Sequence, residues 1–255
     1  MSDARLRISV IIPAFDEAAE LPATLASLRG QGVAFETIVV DARSTDGTAA
    51  LALAAGAKVI AGQQRQRAAQ MNLGAAHASG ETLLFLHADT RLADGALAQV
   101  ERALADPRVV GGGFVRRYDS PSAVLRITCA LAEVRTRCCG WFLGDQAIFV
   151  RRSVFEKLGG FRDLDIFEDL DFSRRLARAG RVVTLRPPVI SAGRRFASRG
   201  AMRTTWSDLC LTARYALAKE HRPPAGATSG HPARSSATQR AGSPLSAQAG
   251  SLCSR

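Results

Sequence analysis

Apolar and polar residues alternate along the first ninety positions in a way that predicts strands and helices in turn. Four short runs of large apolar residues fit buried strands, and the segments between them are rich in alanine or carry leucines at helical spacing. The strands are predicted at residues 8–12, 35–40, 57–61 and 81–86, and the helices at 18–29, 48–55 and 66–79. Strands and helices in this order imply right-handed crossovers and a mainly parallel sheet.

The pattern after residue 90 is less regular and predicts a half built from mixed elements. Helices are expected at residues 94–104, 121–137 and from the acidic run 163–171 to about 179, and strands at 109–118 and 182–185, the last ending before Pro187 and Pro188. Residues 202–218 form a moderately amphipathic segment, which either packs on the core or lies on a membrane.

The last part of the chain has a different composition. From Arg222 onward it is dominated by Pro, Gly, Ser, Ala, Thr and Gln. Such a segment buries too little apolar area to offset the entropy of ordering it. We therefore expect a folded domain over residues 1–221, with a nucleotide-binding half at about 1–90 and a second half at about 91–221, and a disordered tail at 222–255.

Charge and cysteine content narrow the class of protein. The 255 residues carry a formal net charge of +11, which suits an anionic substrate, an anionic membrane surface or nucleic acid. The aromatic share of 6% argues against base stacking, so no nucleic-acid partner is expected.

The cysteines and the start of the chain indicate a compartment. Five cysteines without a CxxC spacing predict reduced thiols, and the start of the chain runs directly into a strand. We expect a cytoplasmic protein, with peripheral membrane contact left open.

Carboxylates occur at the boundaries of three predicted elements. Asp41 ends the second strand, Asp89 follows the buried run Leu83 to Leu86, and Glu168-Asp169 begins a helix. Parallel sheets bind ligands beyond the carboxyl ends of their strands. Asp41 can accept hydrogen bonds from a base or ribose, Asp89 can hold Mg²⁺ or Mn²⁺, and Asp169 can accept a proton. Each also has an ordinary alternative, as a turn acceptor, a helix cap or a first-turn acid.

Several short motifs occur in order between residues 8 and 203. They are Ser9-Val-Ile-Ile-Pro-Ala-Phe-Asp-Glu17, Val39-Val-Asp-Ala-Arg-Ser-Thr-Asp-Gly-Thr48, Arg67-Ala-Ala-Gln-Met-Asn72, Leu86-His-Ala-Asp89, Gly144-Asp-Gln146 and Glu168-Asp169. Together they resemble glycosyltransferase family 2, the inverting nucleotide-sugar enzymes with the GT-A fold. The resemblance implies an α/β protein with a Rossmann-like, mostly parallel central sheet flanked by helices and a less regular acceptor-side half.

The resemblance also implies roles for individual residues. The predicted donor site contains Pro13, Ala14, Glu17, Asp41, Arg67, Asn72 and Asp89, and the predicted acceptor side contains Trp141, Asp145 and Gln146. Asp169 is the implied general base, with Glu168 beside it. Asp89 is the implied ligand of a divalent cation, Mn²⁺ or Mg²⁺. Some of Arg174, Arg175, Arg194, Arg195 and Arg199 are candidates to contact the diphosphate.

Two departures from the family pattern affect these roles. His87 stands where the family has the first acid of its Asp-x-Asp metal motif, so it is either a second metal ligand or a strand-end residue. Ala42 and Arg43 stand where Asp and Gly are common, which puts the shape of that loop in question. The full arrangement is most similar to an arsenosugar-biosynthesis subgroup, which implies a small or lipid-like acceptor. The family resemblance makes UDP-glucose the donor that we expect.

Other functions fit the sequence less well. A nucleotidyltransferase or a dinucleotide dehydrogenase would place a glycine-rich phosphate loop after the first strand, where this chain has Pro13 to Glu17. A non-catalytic basic module that binds anionic membranes or nucleic acid fits the net charge. Three carboxylate clusters would repel phosphates unless a metal intervened, which favours the enzyme.

Overall fold

The computed structural model describes residues 8–164 and 166–192, which belong to one compact unit. Within these ranges the strands are β1 (Ile8–Ala14), β2 (Phe35–Asp41), β3 (Lys58–Ala61), β4 (Thr82–Phe85), β5 (Thr90–Arg91), β6 (Val109–Tyr118), β7 (Ile148–Arg151) and β8 (Arg181–Ser191). The helices are α1 (Leu21–Ser27), α2 (Thr48–Ala54), α3 (Arg67–His77), α4 (Ala96–Leu104), α5 (Ala123–Cys139), α6 (Arg152–Lys157) and α7 (Glu168–Ala179). A 3-10 turn covers Gly144–Gln146.

The strands form one sheet in the order β3-β2-β1-β4-β7-β6-β8-β5. β1 lies between β2 and β4 and runs parallel to both, and β2 runs parallel to β3. β7 is inserted antiparallel between β4 and β6, and β8 returns parallel to β6. The expected α/β architecture is confirmed: a regular, parallel first half and a mixed second half.

Both faces of the sheet are buried, which explains the long apolar runs. Along β1, Val10 and Ile12 pack into one hydrophobic cluster, whereas Ile11 packs into a second cluster on the other face. Successive side chains of a strand point to opposite faces, so each face requires apolar residues. The run at Leu83 to Leu86 divides in the same way, with Leu83 on one side and Leu84 on the other.

Four phenylalanines pack the second half of the chain against β4. Phe85, Phe155, Phe161 and Phe172 form a cluster in which the contacting ring centroids lie 4.5 to 5.8 Å apart. Their tilted and edge-on arrangements are the favourable ones for aromatic rings. The cluster therefore fixes α7 and the segment before it relative to the end of β4.

The last strand is longer than predicted. It was expected to end before Pro187-Pro188, but β8 continues to Ser191. The register changes from Phe114 opposite Leu185 to Arg116 opposite Val189, and the Arg186–Pro187 peptide bond is cis. The two prolines therefore lie in an irregularity where no ladder hydrogen bond is required of them, which is where proline is tolerated in a sheet.

Several expectations fall outside the described residues. These are the amphipathic segment 202–218, the tail 222–255, and the arginines Arg194, Arg195 and Arg199. Of the helices that the structure describes, none combines the length and the apolarity needed to cross a bilayer.

Candidate active site

The carboxyl ends of β1, β2 and β4 lie side by side. Ala14, the last residue of β1, is opposite Asp41 at the end of β2. On the other side, the backbone N–H of Leu86 donates to the carbonyl of Ile11 at 2.9 Å, so His87 to Asp89 continue beside β1. The sheet thus brings Pro13, Ala14, Asp41 and the His87–Asp89 segment to one edge.

Asp41 shapes the loop that follows it. Its carboxylate accepts hydrogen bonds from the backbone N–H of Ser44 at 3.0 Å and from the Ser44 hydroxyl. Arg43 has a φ of 63°, in the left-handed region that glycine adopts without strain. The loop therefore keeps the backbone form that glycine would favour, although arginine occupies the position.

The turn after β1 is bound to the loop after β2. The N–H of Asp16 donates to the Ser44 hydroxyl at 2.9 Å, and the N–H of Thr45 donates to Asp16 Oδ1 at 2.8 Å. The N–H of Glu17 donates to Thr48 Oγ1 at 2.9 Å. These bonds hold Glu17 close to the loop that carries Asp41.

Asp89 and His87 follow β4 and are both half-buried. The carbonyl of Asp89 accepts a hydrogen bond from the N–H of Ala192 at 3.0 Å, which fixes the backbone there. No group of three or more His, Cys, Asp or Glu side chains among the described residues could hold a metal alone. Mg²⁺ and Mn²⁺ usually retain waters and share substrate phosphates, so their protein sites often have only one or two side-chain ligands.

Gly144 is the point where the second-half residues meet this edge. Its N–H donates to Asp169 Oδ2 at 2.5 Å. A Cβ added at Gly144 would collide with His87 Nε2 and lie 3.1 Å from Asp169 Oδ2. Only glycine allows His87 and Asp169 to approach the backbone so closely, so the Gly144-Asp145-Gln146 motif has a steric reason for its glycine.

Asp169 has the electrostatic properties of a proton acceptor. It is buried at the start of α7, and burial, together with the negative charge of Glu168, raises the pKa of Asp169 from 3.8 to about 6. Hydrogen bonds from the N–H groups of Gly144 and Leu170 oppose this rise. Glu168 is itself held by Arg67, whose Nη1 lies 3.3 Å from Glu168 Oε1.

Asp145 is half-buried in a different environment. Arg116 Nη1 lies 2.5 Å from Asp145 Oδ2, and the Tyr118 hydroxyl donates to the same oxygen at 3.0 Å. Burial favours the neutral acid, but the charge of Arg116 outweighs it and holds the pKa of Asp145 below its ordinary value. Sequence reasoning missed Arg116 and Tyr118. Their signal was the presence of polar side chains at the end of an otherwise apolar strand.

Gln146 and Trp141 differ in their access to the site. Gln146 is fully buried: its Nε2 donates to the carbonyl of Phe114 at 3.0 Å, and its Oε1 accepts from the N–H of Leu143 and from Arg135. Gln146 therefore fixes this segment from within. Trp141 is half-buried and has the Arg174 guanidinium 5.0 Å from its ring centroid.

Helix α3 connects the two halves of the site. Gln70 Nε2 donates to the carbonyls of Ala14 and Val40, both at 2.9 Å, and so binds the ends of β1 and β2. Asn72 Nδ2 donates to the carbonyl of Phe161 at 2.8 Å, and its Oδ1 accepts from the Phe161 N–H at 2.9 Å. The amide of Asn72, predicted to bind the donor, is thus committed to the segment before α7. Gln70 was not predicted.

One candidate phosphate contact is engaged elsewhere. Arg175 Nε donates to Asp171 Oδ2 at 2.8 Å, and its terminal nitrogens donate to the carbonyls of Leu158 and Gly160 at 2.8 and 2.9 Å. Arg175 therefore anchors the turn before α7 through three of the five N–H donors of its guanidinium group.

Comparison with known proteins agrees with this arrangement of motifs. The model of the glycosyl transferase family 2 matches residues 9–197. The chain belongs to this family. An uncharacterised protein of Mycobacterium tuberculosis is 30% identical to it over 208 residues, which are 69% of this chain and 63% of that protein.

Solved structures of glycosyltransferases have the same fold. The mannosyltransferase PcManGT from Pyrobaculum calidifontis, in complex with GDP-Man and Mn²⁺, matches with a TM-score of 0.66 and 26% identity, over 86% of this chain and 66% of that one. Glucosyl-3-phosphoglycerate synthase from M. tuberculosis, in complex with Mn²⁺, UDP and glucosyl-3-phosphoglycerate, has a TM-score of 0.53 and 20% identity, over 73% of this chain and 70% of that one. The expected GT-A fold is confirmed. This chain spans less than two thirds of the M. tuberculosis relative and of PcManGT.

Proposed function

We propose that this chain is an inverting glycosyltransferase that moves a sugar from a nucleoside-diphosphate sugar to a small or lipid-like acceptor, with Asp169 as the general base. The observation that carries the proposal is Asp169 itself. It is buried, its pKa is raised to about 6, and it lies against Gly144 beside His87. A base with a pKa slightly below neutral is mostly ionised at pH 7 and still accepts a proton.

The proposed reaction is a single displacement. The acceptor's hydroxyl or acid group transfers its proton to Asp169 as its oxygen attacks the anomeric carbon. The bond between that carbon and the diphosphate oxygen breaks, and the nucleoside diphosphate leaves with the electron pair. Asp145, ionised beside Arg116, is available to accept a hydrogen bond from the acceptor, because its Oδ1 is buried with no partner among the described residues.

A divalent cation fits the donor side. Asp89 would hold it, with His87 as the neighbouring candidate ligand. When bound, such a cation neutralises charge on the leaving diphosphate. PcManGT and glucosyl-3-phosphoglycerate synthase were both solved with Mn²⁺, which supports this assignment.

The donor nucleotide would bind along the edge formed by Pro13, Ala14, Glu17 and Asp41. The side chain of Arg67 is half exposed and forms an ion pair with Glu168. Arg67 therefore connects the donor side to the residue next to the proposed base. The donors of the two neighbours differ in base, GDP in one and UDP in the other. UDP-glucose is the donor that we propose to test first. Family membership favours this function over a nucleotidyltransferase or a non-catalytic basic module.

A panel of nucleotide sugars, screened by thermal shift with and without Mn²⁺, would identify the donor, because a ligand of the native state raises its apparent stability. With that donor, Asp169→Asn should lower turnover or donor hydrolysis by roughly 10² or more while donor binding is retained. Asp94→Asn, at an exposed carboxylate, is the matched control and should keep the parent rate. Turnover of Asp169→Asn within about tenfold of the parent would remove Asp169 as the base.

The metal assignment has its own measurement. Calorimetry of donor binding to Asp89→Ala, with and without Mn²⁺, should lose the difference that the parent protein shows. A metal dependence that survives in Asp89→Ala would exclude Asp89 as a ligand.

A further inference from the structure

Helix α5 is apolar on two opposite faces. Leu125, Ala132 and Thr136 form its buried face. On the opposite side, Ile127, Leu131 and Val134 have exposed fractions of 62%, 52% and 59%. Their spacing of four and three residues places them in one line along the helix. An ordinary surface helix carries one apolar stripe and a polar outer face. The second apolar line on α5 is therefore not typical of a helix whose outer face contacts only water.

The exposed line is part of a wider stripe. Three small exposed residues extend it, and none of its members is charged. We call this set the outer stripe of α5, and it consists of Ala123, Ile127, Ala130, Leu131, Val134 and Cys138. The other large exposed apolar residues of the described chain are dispersed, such as Leu51 and Leu53 on α2. Single exposed apolar residues are normal, but a continuous stripe is not.

Basic residues border the outer stripe along one flank. Arg126 is exposed, and so is Arg137. The acidic residue of this helix, Glu133, lies 2.8 Å from Arg137 and 2.5 Å from Arg186 of β8. Two guanidinium groups therefore share one carboxylate, and the exposed Arg126 adds a third positive charge on this flank. Arginine can lay its aliphatic part along an apolar surface and keep its charge in the polar layer beside it.

We propose that the outer stripe of α5 is the surface by which this protein docks on an anionic lipid bilayer. An apolar helix face bordered by arginines is the pattern of helices that lie in the membrane interface. Anionic headgroups complement the three arginines and the net charge of +11. The docking does not depend on the proposed reaction.

A second copy of the chain is a poorer occupant of this surface. A helix of 17 residues is roughly 25 Å long, and a stripe about 10 Å wide on it covers only about 250 Å². A stable protein interface buries about 800 Å² per partner. A bilayer has no such minimum, because it accepts a few apolar side chains and adds electrostatic attraction.

The inner side of α5 links the docking surface to the acceptor side. Arg135 Nε donates to the carbonyl of Trp141 at 3.0 Å, and its Nη2 donates to Gln146 Oε1 at 3.0 Å. Docking through α5 would hold this segment close to the lipid surface. If the proposed glycosyl transfer holds, a lipid-like acceptor could then enter from the bilayer.

Vesicle flotation of the full chain tests the proposal. The protein should float with vesicles of phosphatidylcholine and phosphatidylglycerol, less with phosphatidylcholine alone, and less as NaCl is raised. Combining Ile127→Gln, Leu131→Gln and Val134→Gln should lower partitioning at least tenfold, because three apolar side chains are removed from the interface. Leu51→Gln with Leu53→Gln, a matched exposed pair on α2, should change it less than twofold.

Four results would overturn the proposal. The first two are failure of the parent protein to float and flotation of the triple variant equal to that of the parent. If sedimentation equilibrium finds a dimer that the triple variant loses, the stripe is an interface between copies. If the triple variant has a clearly lower melting temperature without vesicles, the stripe is covered by another part of this chain.

Discussion

The carboxylates of the two halves are held in place by different physics. In the first half, Asp16 and Asp41 accept hydrogen bonds from uncharged groups of the loops, Asp41 from Ser44 three residues away and Asp16 from the Thr45 N–H 29 residues away. In the second half, the nearest decisive neighbours are charged: Arg116 lies against Asp145, and Glu168 lies beside Asp169. The donor-side carboxylates are thus held by neutral hydrogen-bond donors, and the acceptor-side carboxyl groups are governed by charge and burial.

Within the second half, burial alone does not decide protonation. The pKa of Asp145 is lowered by Arg116, whereas the pKa of Asp169 is raised by burial and by Glu168. Two neighbouring carboxyl groups whose pKa values are driven apart are suited to different roles. One remains a charged acceptor of hydrogen bonds, and the other is able to take up a proton near neutral pH.

The largest effect on this contrast is expected from Arg116→Met. Removing the guanidinium leaves the half-buried carboxylate of Asp145, whose Oδ1 is fully buried, without its counter-charge, which should destabilise the protein by roughly 3–5 kcal/mol. Urea unfolding at pH 7 measures this. Adding Asp145→Asn to Arg116→Met should restore part of the loss, because the unpaired charge is gone. If the double variant is no more stable than Arg116→Met alone, the unpaired charge of Asp145 is not the cause of the lost stability.

A smaller effect of opposite sign is expected from Asp169→Asn on stability. A carboxyl with a pKa of 3.8 unfolded and about 6 folded has no cost below pH 3.8, and its cost grows as pH rises to 6 and is full above it. The full cost is roughly 3 kcal/mol. The variant should therefore gain about 1–3 kcal/mol at pH 8 and little at pH 4, since asparagine replaces only part of the hydrogen bonding. An equal change at both pH values would contradict the raised pKa.

Backbone strain lies close to the site in both halves. Four non-glycine residues of the described chain have left-handed φ values: Asp16, Arg43, Ala147 and Phe167. Each lies within two residues of a predicted site residue. Strained conformations persist where surrounding contacts enforce them, and they often occur at functional sites.

The smallest effect is expected on the donor side, from Arg43→Gly. Glycine adopts the φ of 63° without the cost of a Cβ, and part of that gain is lost to the greater entropy of unfolded glycine. Thermal unfolding should show a gain of about 0.5–1 kcal/mol. Arg43→Ala, which removes the exposed side chain but keeps the Cβ, should be nearly neutral. A gain of the same size in Arg43→Ala would mean that the side chain, not the backbone, is responsible.

The sequence alone determined the alternating elements of the first half and proposed the positions of the site. Apolar runs such as Leu83 to Leu86 identified strands buried on both faces, because side-chain period and burial are local properties of the chain. Asp41, Asp89 and Asp169 stood out because each follows or begins an element where ligands bind. The loop after Asp41 was readable for the same reason, because Asp41 and its donor Ser44 are three residues apart.

The tertiary structure alone decided what these residues contact. The insertion of β7 between β4 and β6 brings Gly144 against His87 and Asp169, a meeting of three segments that no local pattern encodes. The family resemblance predicts that Asn72 binds the nucleotide-sugar donor. In the structure its amide is hydrogen-bonded to the backbone of Phe161, 89 residues away. The sequence does not single out Arg116, because its role depends on one partner, Asp145, which lies 29 residues away. The pKa of a buried carboxyl depends on which charges surround it, and only the folded chain assembles those charges.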